Sequence, residues 1–480
     1  MYINDNVAKG GIILKQTMKL ALLIANRGFF PSSVIESARA EMSEAVEKAG
    51  AEVLMMDSSL TRYGAVETRA EGEIFAHFLA EHEGEYDGLI ICLPNFGDEN
   101  GIKEAIKDVK TPILLQAYPD ELGKLDFANR RDAFCGKLGL CAVLKQMKVA
   151  FVSGEPFTMH PLSEDFHKEM SDFIAICRMV KRMRHMRIGV LGARTTAFKS
   201  VRFDESALEA RGADVETLDL TQIFDKMHAV DENDPRMEVW KKEIKAISDT
   251  SNTPEYAIIN QCKLGIALEE LQDEMKLDVM AIRCWSEFQY EFKIAPCTVM
   301  GVLNNCQIPV VCETDVTNAP AMLALALASG TGVGCLDVNN NYGTEPDKCI
   351  MFHCGPLPID LLYEPGHMEE HKMFIKTQGE NCSWGVNVGR MKPGTVTICG
   401  MRTEDGEARY FVECAEVEDM RIEENFFGTY GIVKLNGLQT KLRHMAEEGF
   451  RHHVTITAGD HTRRIREALT KYLGYKEVVL

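Results

Sequence analysis

The sequence lacks any apolar run long enough to cross a bilayer. The longest runs, at residues 20–25 and 321–328, fall well short of the roughly 20 residues that a membrane-spanning helix needs. Residues 1–17 also lack the apolar core and small-residue cleavage site of a secretory signal. The sequence therefore predicts a soluble protein without membrane partners, and we interpret residues 1–17 as an N-terminal extension ahead of the first strand.

Positive charge is also scarce. In 480 residues, 53 Lys and Arg stand against 72 Asp and Glu, which gives a formal net charge of −19. Such a chain repels the nucleic acid backbone, so nucleic acid is not an expected partner. With 45% hydrophobic residues, the composition is that of a folded globular protein, and the length leaves room for about three domains.

The chain has no C-x-x-C motif although it contains 15 cysteines. This number is odd, and most of the cysteines lie in apolar segments that resemble strands, so a disulfide framework is not predicted. The pattern is typical of reduced, buried side chains in a cytoplasmic protein. A catalytic thiol is the alternative, but no cysteine has an obvious base beside it in the sequence.

Apolar strand-like runs alternate with helical patterns over the first part of the chain. This rhythm predicts open parallel sheets covered by helices, with one α/β domain at 18–153 and a second, Rossmann-like α/β domain at 154–344. Over 345–480, β-branched and aromatic runs separated by glycine and charged turns predict a β-rich, barrel-like domain with a closing helix. Gly192 is interpreted as a turn glycine, because the rest of a G-x-G-x-x-G dinucleotide fingerprint is missing.

Two acidic residues, Glu313 and Asp337, each follow a short apolar run. If these runs are successive strands of the second parallel sheet, their carboxyl ends meet at one edge and bring the two carboxylates together. Paired carboxylates there could chelate a divalent metal or share a proton transfer. The alternative is structural: Asp315 or Thr317 caps the helix predicted at 320–328, and Asp337 shapes a turn.

Histidines lie at further predicted strand ends. His353 ends the strand after Asp337, and the pair His452-His453 opens a strand near the C-terminus. Imidazoles beside two carboxylates would form a mixed nitrogen and oxygen site suited to Mn²⁺, Co²⁺ or Zn²⁺ rather than Ca²⁺. Alone, each histidine is more often a satisfied core or surface residue, so only their convergence on the carboxylates would favour the metal site.

These blocks resemble those of a known family. The acidic segment 312–322, its spacing to Asp337 and the His452-His453 block resemble the L-fucose isomerase and L-arabinose isomerase superfamily of metal-dependent aldose–ketose isomerases. The resemblance covers most of the chain from Lys19 and is strongest from Trp285 to Asp337 and at the tail. The chain is shorter than a typical fucose isomerase, and its tryptophan motif at Trp285 differs.

The resemblance implies a metal site and a mechanism. Glu313 and Asp337 match the carboxylates that bind Mn²⁺ and act as the acid/base pair, His453 matches the third ligand, and His353 matches a further metal histidine of the arabinose isomerases. A divalent metal stabilises the enediolate formed between C1 and C2 of an open-chain sugar, while a carboxylate moves the C2 proton. The resemblance also implies a homotrimer or homohexamer with sites at subunit boundaries.

Several residues are candidates for substrate binding. Arg27 follows the first strand and could reach a sugar hydroxyl, including one in a neighbouring subunit, and Trp285 could stack on a sugar face. Arg194 and Arg202, with Lys199, form a cationic group that could select an anionic sugar. For each of them the alternative is an ordinary core or surface position.

The sequence thus predicts a metal-dependent aldose–ketose isomerase of a free monosaccharide. One alternative is an isomerase of an anionic hexose such as sulfoquinovose. The alternative from another class is a non-catalytic sugar-binding protein, since paired open α/β domains also serve that purpose.

Overall fold

The computed structural model describes residues 16–422 and 426–480. Most of the predicted N-terminal extension, residues 1–15, lies outside this part. Two compact units are present, one formed by Gln16–Lys181 with Glu467–Tyr472 and the other by Arg182–Arg466 with Leu473–Leu480. The predicted domain ends at 153 and 344 stay predictions.

The described strands are β1 (Lys19–Ile24), β2 (Glu52–Met55), β3 (Gly88–Leu93), β4 (Ile113–Ala117), β5 (Val152–Ser153), β6 (Arg187–Leu191), β7 (Asp214–Leu218), β8 (Ser248–Asp249), β9 (Val279–Ile282), β10 (Val310–Val311), β11 (Val333–Asn341), β12 (Lys348–His353), β13 (Gly366–Glu370), β14 (Trp384–Arg390), β15 (Gly394–Glu404), β16 (Glu407–Val417), β17 (Thr429–Lys434), β18 (His453–Ala458) and β19 (Lys476–Glu477).

The described α-helices are α1 (Ile35–Lys48), α2 (Arg69–Glu81), α3 (Glu99–Ala105), α4 (Ala133–Gln146), α5 (Glu164–Met183), α6 (Glu205–Glu209), α7 (Leu220–Ala229), α8 (Pro235–Ile247), α9 (Glu255–Met275), α10 (Glu287–Glu291), α11 (Cys297–Asn305), α12 (Asn318–Ser329), α13 (Lys372–Gln378), α14 (Leu438–Glu447) and α15 (Thr462–Arg466). A π-helical turn, Glu467–Tyr472, follows α15, and 3₁₀ turns occur at Ser32–Val34, Arg62–Gly64, Lys199–Val201, Cys312–Thr314 and Ile359–Leu361.

The first unit contains a five-stranded parallel sheet in the order β2-β1-β3-β4-β5. Every residue of β3 is buried, as expected for a central strand covered by helices on both faces. Helix α2 begins with a capping box in which the Thr68 side chain accepts the Glu71 N–H and the Glu71 side chain reaches back. The predicted first open α/β sheet is confirmed.

The second unit contains a four-stranded parallel sheet in the order β10-β9-β6-β7. This confirms the second open parallel sheet. Strand β10 has only two residues and runs directly into the 3₁₀ turn Cys312–Thr314, which is followed by the buried helix α12. The short strand therefore delivers Glu313 to the carboxyl edge of the sheet.

A ten-stranded mixed sheet completes the second unit. Its order is β19-β16-β15-β18-β11-β12-β17-β14-β13-β8, and an additional pairing of β16 with β17 closes six of the strands into a ring. This confirms the predicted β-rich, barrel-like C-terminal part. Helix α12 lies against β18, β15 and β9, so it contacts both sheets of the unit.

The prediction that Asp337 ends a strand of the second parallel sheet is wrong. Strand β11 belongs to the mixed sheet, where it pairs antiparallel with β12 and β18, and Asp337 lies in its interior. The asparagines that follow Asp337, which suggested a turn, continue the strand because β12 pairs with Asn340 and Asn341. The strands that pair with β11 come later in the chain, so the local propensity of residues 333–341 could not reveal that they form one strand.

Two further features bear on the class of protein. Within the described ranges, no helix has both the length and the apolar character that a bilayer crossing requires. All 15 cysteines are free, and eleven of them are buried.

A buried asparagine at the end of α11 fixes the approach to the edge of the parallel sheet. The Asn304 side chain accepts the Val310 N–H at 2.7 Å and donates to the Pro356 carbonyl at 2.8 Å. It thereby joins the strand before Glu313 to the loop after His353.

Replacing this residue tests how much the connection stabilises the unit. In Asn304→Ala, buried backbone groups lose their partners, and we expect the free energy of unfolding to fall by about 2 kcal/mol or more, since each unsatisfied group costs about 1–3 kcal/mol. Denaturant titration of the full chain measures it. Asn341→Ala removes an exposed amide contact to Gly343 and should change little; equal losses in both variants would contradict this role.

Candidate metal centre

Four strands or strand ends bring the predicted ligands together. Glu313 lies on the turn after β10, and three adjacent strands of the mixed sheet supply the others. Asp337 on β11 is directly opposite His453 on β18 and Phe352 on β12, and His353 is the next residue of β12. The predictions that His353 ends a strand and that His453 opens one are confirmed.

His453 is at the centre of the group. Its Nε2 lies 3.2 Å from Glu313 Oε2 and 3.4 Å from Asp337 Oδ1, and its ring centroid lies 6.0 Å from that of His353. One ligand atom from each of Glu313, His353 and His453 lies within 4.8 Å of the others, and the same holds for Asp337, His452 and His453. In each group the ligand atoms are close enough together to bind one metal ion.

Two buried atoms in this group have no hydrogen-bond partner among the described residues. They are His453 Nε2 and Asp337 Oδ1. Leaving a buried polar atom unpaired costs free energy, and a divalent cation bound between them would satisfy both. Neutral imidazole and carboxylate are ordinary ligands of Mn²⁺, Co²⁺ and Zn²⁺, so the residues present fit a divalent metal.

The orientation of His453 is set by Asp315. His453 Nδ1 donates to Asp315 Oδ2 at 2.9 Å, because the carboxylate, whose pKa is held below its ordinary value, can only accept. The same carboxylate accepts from Asn318 Nδ2 at 2.8 Å, from Thr317 Oγ1 at 3.0 Å and from Arg451. A proton fixed on Nδ1 leaves the Nε2 lone pair free for a metal, as in other carboxylate–histidine–metal arrangements.

The capping alternative is therefore wrong for Asp315 and Thr317. Thr317 is the N-cap of α12, yet its side chain makes no capping hydrogen bond. The Asp315 side chain is completely buried and binds the side chains of His453 and Arg451 instead. Instead of capping the helix, Asp315 makes long-range contacts to Arg451 and to His453 on β18.

Burial and charge act in opposite directions on the titrating groups. Burial raises the pKa of Glu313, but the imidazoles of His453 and His353 outweigh it, so the pKa lies below the ordinary value. Burial lowers the pKa of His453, but Asp315 and Glu313 raise it to about 10. In the same way the pKa of His353 is raised to about 9, burial being outweighed by the Cys354 thiol and Asp337. Without an ion, the carboxylates and imidazoles hold one another in their charged forms, and a metal bound at His453 Nε2 would displace the proton from that nitrogen.

The turn that carries Glu313 is strained. Glu313 and Thr314 have left-handed φ values of 60° and 58°, a conformation that costs a residue with a side chain about 1–3 kcal/mol and that clusters at functional sites. Trp285 holds the turn from one side, since its indole N–H donates to Glu313 Oε1 at 3.1 Å.

Aromatic side chains form the wall of the centre. The Phe198 ring is stacked at 25° to His453, with centroids 6.4 Å apart, and is edge-to-face with Trp285 at 5.2 Å. The structure thus places Trp285, a predicted substrate-binding residue, against a predicted ligand. Its stacking on a sugar stays a prediction.

The other predicted substrate-binding residues lie in two places. In the first unit, the Arg27 guanidinium lies 4.1 Å from the centroid of the Phe96 ring. In the second unit, Arg194 donates to the Thr195 and Phe198 carbonyls, and Arg202 Nε donates to the Lys199 carbonyl. The segment after β6 therefore carries Phe198, Arg194 and Arg202 together.

Sequence reasoning assigned no site role to Asp315, Arg451 or Phe198. Asp315 lies two residues after Glu313, and Arg451 directly precedes the histidine pair, so proximity in sequence was the available signal. The pairing of Arg451 with Asp315 spans more than a hundred residues and leaves no local pattern. Phe198 lies in the loop after Gly192, and nothing in the sequence distinguishes it from other aromatic residues in loops.

Comparisons with known proteins match both ends of the chain to one family. Residues 21–184 match the family model "Fucose/sulfoquinovose isomerase, N-terminal domain", and residues 351–479 match "L-fucose isomerase, C-terminal domain". A sulfoquinovose isomerase from Alkalicoccus urumqiensis is 23% identical over 400 residues, covering 81% of this chain and 85% of that protein. One from Priestia aryabhattai is 23% identical over 388 residues, covering 79% and 83%.

A sugar isomerase with residues that could hold a metal ion is the class to which this centre and these family matches point. The chain belongs to the fucose/sulfoquinovose isomerase family, a family of aldose–ketose isomerases.

The buried Asp315 carboxylate should matter more to stability than an exposed one. In Asp315→Asn, Arg451 is left as a buried cation without its partner, and we expect the free energy of unfolding to fall by about 3–5 kcal/mol, the usual cost of breaking a buried pair. Denaturant titration monitored by circular dichroism measures the loss.

The matched control is Asp419→Asn. Asp419 pairs with Arg390 at 2.6 Å, but its side chain is 69% exposed, and exposed pairs contribute about 0–1 kcal/mol. A loss in Asp315→Asn no larger than in this control would contradict the structural role of Asp315.

Proposed function

We propose that this protein is a metal-dependent isomerase that converts a free aldose into the ketose through an enediolate, with Glu313 and Asp337 as the acid/base pair. The observation that carries the proposal is the unpaired His453 Nε2, held toward two carboxylates by a buried Asp315. The family membership supports the reaction class and disfavours the non-catalytic sugar-binding alternative.

Glu313, Asp337 and His453 would hold the ion, and we propose Mn²⁺; His353 is the fourth predicted ligand. When bound, a divalent ion supplies Lewis acidity that stabilises negative charge on the sugar oxygens. The chain's own contribution is proton transfer, because a carboxylate within reach of C2 can take its proton while the other carries the hydroxyl proton. Trp285 holds Glu313 through Oε1, which leaves the Oε2 side facing His453.

Removing the negative charge of Glu313 should abolish turnover. Metal-stripped protein is assayed for ketose formation with and without Mn²⁺ on L-fucose, D-arabinose, L-arabinose, related aldoses and sulfoquinovose. We expect metal-dependent turnover of one sugar and a loss of at least about 100-fold in Glu313→Gln, the range for removing an acid or base.

Glu345→Gln is the control, since Glu345 is a partly exposed partner of Lys348. Turnover that is independent of metal, or that survives in Glu313→Gln, would contradict the proposal.

A second candidate is an isomerase of an anionic hexose such as sulfoquinovose. The segment after β6, which places Phe198 against His453, also carries Arg194, Lys199 and Arg202, and within the described ranges none of these three cations forms an ion pair with a carboxylate. On a chain with a net charge of −19, free cations beside the centre favour an anionic substrate.

Substituting Arg202 separates the two substrate classes. If Arg202 binds the anionic group, Arg202→Gln should lower kcat/KM for sulfoquinovose by roughly tenfold or more, because hydrogen bonds to a charged group contribute about 1.5–3 kcal/mol, and should leave a neutral aldose unaffected. Lys392→Gln changes an exposed cation elsewhere and serves as the control. Equal effects on both sugars would exclude Arg202 from charge recognition.

The assembly and location are proposals of the same kind. We propose a cytoplasmic homotrimer or homohexamer in which Arg27 reaches the site of a neighbouring subunit. Sedimentation velocity of the full chain tests the assembly, and a monomer at micromolar concentration would contradict it.

A further inference from the structure

The loop after β6 meets the metal centre through the ring of Phe198. This ring lies edge-to-face on Trp285 with centroids 5.2 Å apart, and its centroid is 6.4 Å from those of His452 and His453. The His452 side chain is 42% exposed, whereas that of His453 is fully buried. Phe198 therefore lies on the open side of the centre.

Both ends of this loop are fixed to the rest of the second unit. At its start, Arg283 Nη1 donates to the Ala193 carbonyl at 3.1 Å. At its end, the Val201 side chain is completely buried, and the Asp204 N–H donates to Thr403 Oγ1 at 2.8 Å. The loop can therefore change its position only between these two anchors, over residues 194–200.

Between the anchors, the loop is hydrogen-bonded to itself. Arg194 Nη1 donates to the Thr195 carbonyl at 3.3 Å and to the Phe198 carbonyl at 2.9 Å. The Phe198 N–H donates to the Thr195 carbonyl at 3.0 Å, and Arg202 donates to the Lys199 carbonyl through its backbone N–H and its Nε. Among the residues that the structure describes, no hydrogen bond or ion pair joins 194–200 to a residue outside 194–202. Moving this segment as one body therefore breaks no polar contact.

The loop also has room to move. A cavity of about 440 Å³ is lined by Lys199 and Ser200 on the loop and by Arg402 and Glu404 at the turn between β15 and β16. Four of the seven residues 194–200 are exposed, and none of the seven is fully buried. Segments with few buried contacts open at low cost in free energy.

We propose that residues 194–200 form a lid on the metal centre, with Phe198 as the side chain that closes it. Arg194 is a positioning residue, which acts through the Phe198 carbonyl to keep the lid in shape. Displacement of the lid toward the cavity takes the ring away from Trp285 and His453 and admits a sugar. Its return excludes water, which protects a reactive intermediate such as the enediolate. The role in the reaction rests on the proposed function, but the motion itself is testable without sugar.

Fluorine NMR of the full chain with 4-fluorophenylalanine in place of Phe198 tests the motion. The chain is loaded with Zn²⁺, which is diamagnetic and leaves the fluorine line narrow. We expect two resonances, or one broad line that separates into two on cooling, because the ring lies against the Trp285 indole when the lid is closed and in solvent when it is open. In Trp285→Leu, the resonance of the closed lid should shift and that of the open lid should not.

The same label in place of Phe411 is the control. Phe411 is a strand residue that is 1% exposed, so it should give one sharp line. A single sharp line from position 198 that responds to temperature no more than this control overturns the lid.

Replacing Arg194 tests the positioning role. In Arg194→Gln, the ratio of closed to open lid should fall at least about threefold, the effect of losing roughly one net hydrogen bond. Lys199→Gln removes a cation of the same loop whose side chain makes no polar contact among the described residues, and it should leave the ratio unchanged. A wild-type ratio in Arg194→Gln, or an equal fall in both variants, overturns this role. Circular dichroism shows whether each variant is folded, and the spectrum of the label at position 198 decides on the lid without either substitution.

Ketose formation is assayed separately. Two resonances without turnover of any sugar would count against the proposed function and leave the lid standing. Turnover of a sugar by a chain with one immobile resonance would support the proposed function and overturn the lid.

Discussion

The centre depends on one buried carboxylate, Asp315. It joins the segment after the last strand of the parallel sheet to the first residues of β18, through His453 on one oxygen and Arg451 on the other. A carboxylate in a fully buried position is costly unless its charge is compensated and its lone pairs are used. Here Asn318 and Thr317 supply the remaining donors. Their combined effect is to fix the tautomer and direction of His453, and thereby the position at which a metal can bind.

The centre is composite, and its parts have different backbones. The parallel sheet supplies Glu313 on a strained turn, whereas three adjacent antiparallel strands supply Asp337, His353 and His453 in a fixed register. The turn has a left-handed backbone at Glu313, while Asp337 lies in a strand paired on both sides. The two carboxylates thus lie on backbones of different kinds, a difference that the sequence alone does not show.

Much of the fold was predictable because its signals are local. Buried apolar runs such as β3, together with helical spacing such as that of α1, indicate a sheet covered by helices on both faces. The β-branched segments after residue 345 indicate a β-rich sheet. The sheet that contains Asp337 was not predictable, because β11 finds its partners β12 and β18 later in the chain. The asparagines that follow it are turn formers in isolation and strand residues in this context.

The candidate ligands Glu313, His353 and His453 were predictable as residue types at strand ends, and the resemblance implies all four candidates. The residues that orient them were not. The partner of Asp315 is known only once β18 is placed beside the turn after β10. Sequence patterns record which side chains could bind a metal, whereas hydrogen bonds decide which lone pairs are free to do so.

The most direct test of the account is the position of the ion itself. Crystals of the full chain loaded with Mn²⁺, with diffraction recorded at the manganese absorption edge, would show it by anomalous scattering. The account predicts one strong peak at about 2.0–2.3 Å from His453 Nε2, typical of first-row metal–imidazole bonds, with carboxylate oxygen from Glu313 or Asp337 completing the contact and Asp315 still bound to Nδ1. A peak away from His453, or none at saturating Mn²⁺, would contradict the central claim that Asp315 orients a metal-binding histidine.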